Sequence, residues 1–436
     1  MDFCLTDQQL RLQETARRFA YTEIAPRARE LDRAPDGRDA FPIDLVRRAS
    51  ELGLRTLKIP VEHGGLGIDC LTEILVLEEL AVGDVGFAMT LAHCWREGYF
   101  MATATTSAQR ERFLPDFMAD PTYLTSLGQT EEHSGSDNSL PYVGDLSAGP
   151  QTTAELVGEE WIINGGKRFI TSGSVSRMVV LVARTDKTVP HVHGVSAFLV
   201  PTDAPGFRVG RIEDKVGLRL NQNTELLFED CRIPKDNLVG GVNRGHQVLE
   251  DMRYGSKTKE AVRALGVARA AYEHADAWTR TRVQGGRPII EHQSVATILA
   301  EIATELELAR TLIWRAAWAV DHDRARVRPL EDMAKLYASQ MAIRTTTQAM
   351  QLFGARGSLR DYPMEKLVRD AATILLPPIG NTATQVRLAD WLHRHQGSDV
   401  LVPGADGLNG HTSTSPPAGA PLGPAAGELA TSEREQ

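Results

Sequence analysis

This chain has no Cys-x-x-Cys pair, no basic excess and no apolar run of membrane-spanning length, and each absence excludes something. Its four cysteines (Cys4, Cys70, Cys94, Cys231) lie far apart, so neither a zinc site nor a disulfide framework is expected, and a reducing compartment is. The formal net charge of −9 argues against a nucleic-acid partner, which normally meets a basic face. No stretch approaches the roughly 20 apolar residues of a membrane helix. The opening "MDFCLTDQQLRLQ" lacks a basic segment followed by an apolar one, so no secretory signal is read there. A cytoplasmic protein with no metal and no membrane contact is the expectation. The 436 residues, 42 % hydrophobic and 24 % charged, suit an ordinary globular protein of two or three domains.

The order along the chain is helices, sheet, helices, tail, an α+β arrangement. In the first segment (1–122) Thr6 and Gln9 form a capping-box pattern ahead of Leu12, Ala16, Phe19 and Ala20 at helical spacing. The second segment (123–240) changes to short β-branched runs such as "MVVLVART" and "VSAFLVP". Asn164-Gly165 between such runs predicts a hairpin turn. In the third segment (241–397) a stripe of Ile298, Ile302, Leu306, Ala309, Ile313 and Ala316 predicts a long core helix, and Gly397 a C-cap. The Pro/Gly/Ala/Ser-rich residues 398–436 are expected to be disordered. Within the third segment, "RDAATILLPPIGNTATQVRLAD" breaks a helix at Pro377-Pro378, because proline removes a backbone donor and clashes with the preceding turn.

Five ordered blocks then carry a resemblance. "TEEHSGSD" (130–137), "NGGKRFIT" (164–171), "FEDCRIPKDNLVG" (228–240), "RTRVQGGRPIIEHQ" (280–293) and "QAMQLFGARGSLRDYPMEKLVRD" (348–370) resemble, in sequence order, the signatures of the acyl-CoA dehydrogenases. The resemblance spans roughly residues 5–395. It implies an N-terminal α-domain, a β-barrel-like middle domain and a C-terminal four-helix bundle, with FAD between them in a homodimer or homotetramer. It also implies oxidation of an acyl thioester, either acyl-CoA or acyl-carrier protein, with hydride transfer to flavin N5 and electrons passing to an electron-transfer flavoprotein.

The implied roles fall on particular residues. Gly128, Gln129 and Thr130 match positions at the polar edge of the isoalloxazine. Phe169 matches a ring-stacking aromatic that is usually Trp, and Ile170 and Thr171 lead to flavin N5. Ser136 matches a serine shared between cofactor and thioester. Arg282 matches an arginine reaching the FAD of a neighbouring subunit, where a guanidinium suits a pyrophosphate. Gln293, Gln351 and Gly354 match contacts to the rest of the FAD, and Thr382 a turn beside it. Gly285 stands where the family usually has Phe.

The catalytic group is unknown from sequence. Many members carry a glutamate about nine residues past the Arg-Asp pair, but here Pro378 occupies that place and no carboxylate lies between Asp370 and Asp390. A minority use a Glu-Arg pair on a helix, and here Ser256-Lys257 stand in that position, leaving them as expected substrate contacts. Glu260, one turn on, is the nearest replacement. The main expectation is a dehydrogenase with an atypical or missing base. A flavin-dependent monooxygenase or oxidase, or a non-catalytic flavin- or acyl-binding subunit, stays open beside it.

Overall fold

A computed structural model describes residues 4–140, 145–377 and 379–394. The expected disordered tail, the Gly397 cap and Pro378 therefore lie outside the described residues. Six helices come first: α1 (Asp7–Phe19), α2 (Ala25–Asp32), α3 (Ile43–Glu51), α4 (Cys70–Gly83), α5 (Val85–Thr103) and α6 (Ser107–Ala119). The capping box at α1 forms as read, with the Thr6 hydroxyl accepting from the Gln9 amide at 3.2 Å and the Gln9 side chain accepting from the Thr6 amide at 2.9 Å. Helix α4 is buried around its whole circumference, including Glu73, Glu78 and Glu79. Buried carboxylates need paired cations, and these come from elsewhere in the chain: Lys58 and Lys259 for Glu73, Arg269 and Arg310 for Glu78, Arg17 and Arg269 for Glu79.

The middle segment is one mixed sheet. Its strands are β1 (Thr125–Gly128), β2 (Thr153–Val157), β3 (Glu160–Thr171), β4 (Met178–Arg184), β5 (Val195–Pro201), β6 (Phe207–Ile212), β7 (Asn223–Pro234) and β8 (Leu238–Val239), with the short helix α7 (His191–Gly194) before β5. The order is β6-β7-β3-β2-β4-β5-β8, and β1 joins β4 in parallel. Trp161, Ile163, Ile170, Phe198, Leu226 and Phe228 share its core.

The hairpin expected at Asn164-Gly165 does not form there. β3 runs straight through both residues, and the chain reverses earlier, between Val157 and Glu160. Asn164 is engaged across the sheet, donating to Asp230 Oδ1 at 3.0 Å and accepting from the Asp230 amide at 2.8 Å, so it is not free to close a turn. The register slips at this point instead, and Gly165 at φ 136° supplies the irregular backbone. A Cβ at Gly165 would stand 2.7 Å from Thr152 Cα.

The last segment holds α8 (Gly245–Met252), α9 (Ser256–Thr281), the two-residue strands β9 (Val283–Gln284) and β10 (Arg287–Pro288), α10 (Gln293–His322), α11 (Val327–Leu352), α12 (Met364–Thr373) and α13 (Asn381–Arg394). The predicted stripe of α10 is buried from Ile302 to Ala316, while Leu299 takes the buried place ahead of it and Ile298 is half-buried. Helices α9, α10 and α11 pack together, and α12 and α13 share the fourth place in the bundle. Between α12 and α13 the chain turns, and Lys335 of α11 ties the turn down. Its ammonium donates to the carbonyls of Leu375 (3.1 Å) and Ile379 (3.0 Å) and to the side chain of Asn381.

Candidate active site

Two of the family blocks meet along β1 and the end of β3. Gly128 closes β1, and a Cβ there would stand 2.9 Å from Val179. Gln129 is buried and its carbonyl accepts from Lys167 Nζ at 3.2 Å, while the Thr130 carbonyl accepts from the Arg168 amide at 2.8 Å. Thr171 is buried at the end of β3, its carbonyl accepting from Ser126 Oγ at 3.0 Å. Between them the backbone is forced into the left-handed region at two non-glycine residues, Phe169 (φ 60°) and Ser172 (φ 57°). Strain of this kind persists only where the surroundings impose it, and here Asn223 Nδ2 holds the Phe169 carbonyl at 2.8 Å. The result is a phenylalanine ring 50 % exposed, with the Arg168 guanidinium 5.1 Å from its centroid. The Ile170 side chain lies in the sheet core, so only its backbone remains for a cofactor.

A separate cavity of about 580 Å³ gathers Arg282, Gln351 and Gly354 with His292 and Gly285. Its floor includes Trp278, stacked on Phe353 with centroids 4.9 Å apart. Gln293, the exposed first residue of α10, does not line it although its neighbours His292 and Ser294 do. None of Thr130, Phe169 and Thr171 lines this cavity. Thr382 is exposed at the second position of α13 and lines neither cavity described here.

Another cavity, of about 640 Å³, is walled by α8, α9, α11, α13 and the turn before α13. Ser256, which stands at one of the family's two base positions, faces it, and so does Ile379, the residue after Pro378 at the other. So does Lys257, but its ammonium is spent on Asp332 and offers no unpaired charge to a ligand. Ser136 is exposed at the start of a short turn and does not reach the wall. Ser139, three residues on, does, and sequence reasoning missed it. Glu260 is buried and paired with Arg263, and it does not line the cavity.

The inner region is polar. Arg253 lines the cavity and donates to Ser139 Oγ at 3.3 Å. Burial lowers its pKa to about 10, with the nearby charges of Arg96 and Arg387 pushing the same way against Glu250. Buried atoms without a hydrogen-bond partner cluster between α5 and α9: His93 Nδ1, Arg96 Nε, Glu97 Oε2, Thr258 Oγ1 and Arg263 Nη1. Burial, Arg96 and Arg263 hold His93 neutral, well below the usual imidazole range. None of these five residues lines the cavity.

Comparison with known proteins decides the family. The descriptions "Acyl-CoA dehydrogenase, N-terminal domain", "middle domain" and "C-terminal domain" match residues 6–120, 126–231 and 243–389. A probable acyl-CoA dehydrogenase of Bacillus subtilis, YngJ, is 34 % identical over 389 residues, covering 89 % of this chain and 97 % of that one. The chain belongs to the acyl-CoA dehydrogenase family. Butyryl-CoA dehydrogenase from Megasphaera elsdenii superposes with a TM-score of 0.82 at 32 % identity, covering 90 % of this chain and 100 % of that one. A chain from work on the electron transferring flavoprotein of Acidaminococcus fermentans gives 0.82 at 34 %, with 90 % and 100 % covered.

This acyl-CoA dehydrogenase is an FAD-dependent oxidoreductase. The strands fit the flavin: an exposed aromatic ring held by strained backbone suits a planar aromatic ligand, and the buried hydroxyls of Thr125 and Ser172 have no partner among the described residues. No helix among the described residues is long and apolar enough to cross a membrane, and no group of His, Cys, Asp and Glu there could hold a metal.

Proposed function

We propose that this acyl-CoA dehydrogenase removes the α- and β-hydrogens of a short, polar acyl thioester, carried on CoA or an acyl-carrier protein. The observation that carries the reading is the 640 Å³ cavity, whose wall includes Ser139, Arg253, Ser256 and Ile379. FAD, when bound, would supply a two-electron acceptor for the β-hydrogen. Phe169 and Thr171 orient the ring system, and the peptide groups of Gly128 to Thr130 meet its polar edge. Ser139 and Arg253 hold the polar part of the substrate.

The FAD site is shared between two protomers of a homodimer or homotetramer. Support comes from the separation of the residues, since Arg282, Gln351 and Gly354 line a cavity to which Phe169 and Thr171 contribute nothing. An electron-transfer flavoprotein is the electron acceptor, a reading supported by the relative from Acidaminococcus fermentans. Cys70, Cys94 and Cys231 are buried thiols, which suits a reducing compartment such as the cytoplasm.

Anaerobic mixing of the FAD-loaded protein with a panel of thioesters tests this, read by bleaching of the flavin absorbance. Acyl groups of about four or five carbons with a polar or anionic substituent should bleach it faster than their hydrocarbon counterparts. Absence of bleaching with every CoA and carrier-protein thioester overturns the reading.

A further inference from the structure

Both positions from which the family supplies its proton acceptor are filled here by groups that cannot accept one at neutral pH, yet the cavity they face is not short of carboxylates. Five line it: Glu250, Asp251, Glu331, Asp332 and Asp390. Four are committed. Glu250 pairs with Arg328, Asp332 with Lys257 and Asp390 with Arg394, while Asp251 is exposed and accepts from Gln247 at 3.0 Å. Glu331 differs. Its only hydrogen bond among the described residues is accepted from the backbone amide of Lys257, at 3.2 Å to Oε2. That amide directly follows Ser256, so α11 delivers a carboxyl to the place where the minority of the family projects a glutamate from α9.

We propose that Glu331 is the catalytic base, taking the α-proton in place of the missing glutamate. The inference rests on the dehydrogenase reading above and names the residue that performs its proton transfer. The carboxylate of Glu331 takes the proton from Cα. The electron pair of that C–H bond becomes the second bond between Cα and Cβ, and the β-hydrogen leaves with its own pair to FAD, the oxidant. Charge and atoms balance: one carboxylate becomes a carboxylic acid, and the flavin gains one hydride.

The surroundings suit the task. Glu331 is 5 % exposed, and burial raises its pKa to about 7, with Asp332 adding to the rise and Lys257 and Arg387 opposing it. A base works best with a pKa near the operating pH. The charged and titratable groups around it are Lys257 and Tyr254 beside the start of α9, Glu250 of α8, Arg328 and Asp332 of α11, and Arg387 of α13.

The test uses the FAD-loaded enzyme and the thioester that bleaches it fastest. Glu331→Gln keeps the shape and an acceptor oxygen for the Lys257 amide. It should slow flavin reduction by about 10²–10⁴-fold while leaving FAD content and melting temperature unchanged. Wild-type reduction should rise with pH through about 7, where burial places the Glu331 carboxyl, and the variant should lose that rise. A second readout needs no hydride transfer. Dithionite-reduced wild type should wash deuterium from Cα of the α-deuterated thioester into water, and Glu331→Gln should not.

Rescue separates chemistry from structure, because Glu331→Gln combined with Ile379→Glu should recover at least tenfold of the lost rate. Reduction and exchange within about threefold of wild type in Glu331→Gln overturn the proposal, as does an unchanged pH profile in a folded, FAD-loaded variant. If wild type reduces with no thioester, it is the preceding dehydrogenase reading that fails instead.

Discussion

The ammonium of Lys366 lies 2.6 Å from Asp84 Oδ2, across 282 residues of chain, and 2.6 Å from Asp370 Oδ2 one helical turn away. All three side chains are buried. Burial alone would lower the lysine's pKa, but Asp370 and Asp84 together hold it above its ordinary value. Asp370 also accepts from the Leu218 amide at 2.7 Å, and its neighbour Arg369 binds Asp32 at 2.6 Å. The Arg-Asp pair that ends the fifth sequence block is thus a pin joining the two helical segments to the sheet segment.

Lys366→Met should therefore unfold at markedly lower denaturant. Removing the cation leaves two buried carboxylates facing each other, and breaking a buried pair costs about 3–5 kcal/mol. Equilibrium denaturation followed by circular dichroism checks this. A change under 1 kcal/mol would mean that the cluster is open to water.

Lys335 carries a pH dependence of the opposite kind from a stabilised cation. Burial, with the nearby charge of Lys257 assisting, lowers its pKa to about 8, against roughly 10.4 in an unfolded chain. Between those values the unfolded chain binds more protons, so this residue's contribution makes stability rise with pH from about 8 to about 10.4. Lys335→Met should abolish that slope. It should also cost on the order of 2 kcal/mol, since charged hydrogen bonds to the Leu375 and Ile379 carbonyls are lost. Thermal melts of both proteins across pH 7–10 measure the difference.

Much of this architecture was legible because it is written locally. The capping box at Thr6, the stripe from Ile302 to Ala316 and the five motif blocks each need only a few neighbouring residues. What failed were features decided across the sheet or between helices. Asn164-Gly165 has the composition of a turn, and only the partner Asp230, far along the chain, shows why it bulges. Ile170 belongs to a flavin motif, and the bulge between Lys167 and Ile170 turns its side chain into the core, which the motif alone does not reveal. Glu260 had the right helix face but was already paired with Arg263. Glu331 carries no signal in "RPLEDMAKL"; its placement beside Lys257 exists only once α9 and α11 pack.

Phe169→Gly should separate folding from cofactor binding. Relieving a left-handed backbone is worth about 1 kcal/mol or more in favour of glycine, and the half-exposed ring contributes little to the core. The apoprotein should melt at the same temperature or higher, while FAD affinity falls at least tenfold. Fluorescence titration with FAD and a thermal melt of the apo form read the two effects independently.

Arg282→Ala should release FAD without disturbing the fold, and its defect should be complemented by another protomer. Unfolding and refolding an equal mixture of Arg282→Ala and Phe169→Gly chains should restore flavin to a fraction of sites, because one mixed site in each pair receives both wild-type halves. Flavin content that merely averages the two parents would place both residues in a single-chain site.

The strands that carry Phe169 and Thr171 and the helices that wall the 640 Å³ cavity are largely different pieces of chain. Changes in α8, α11, α13 or the turn before α13 can reshape what enters while leaving Phe169, Thr171 and the peptide groups of β1 untouched. Redox chemistry and choice of substrate are therefore separately heritable in this scaffold. A lineage can lose a motif from one turn and still keep its trade, provided that another helix around the same hollow takes up the missing function.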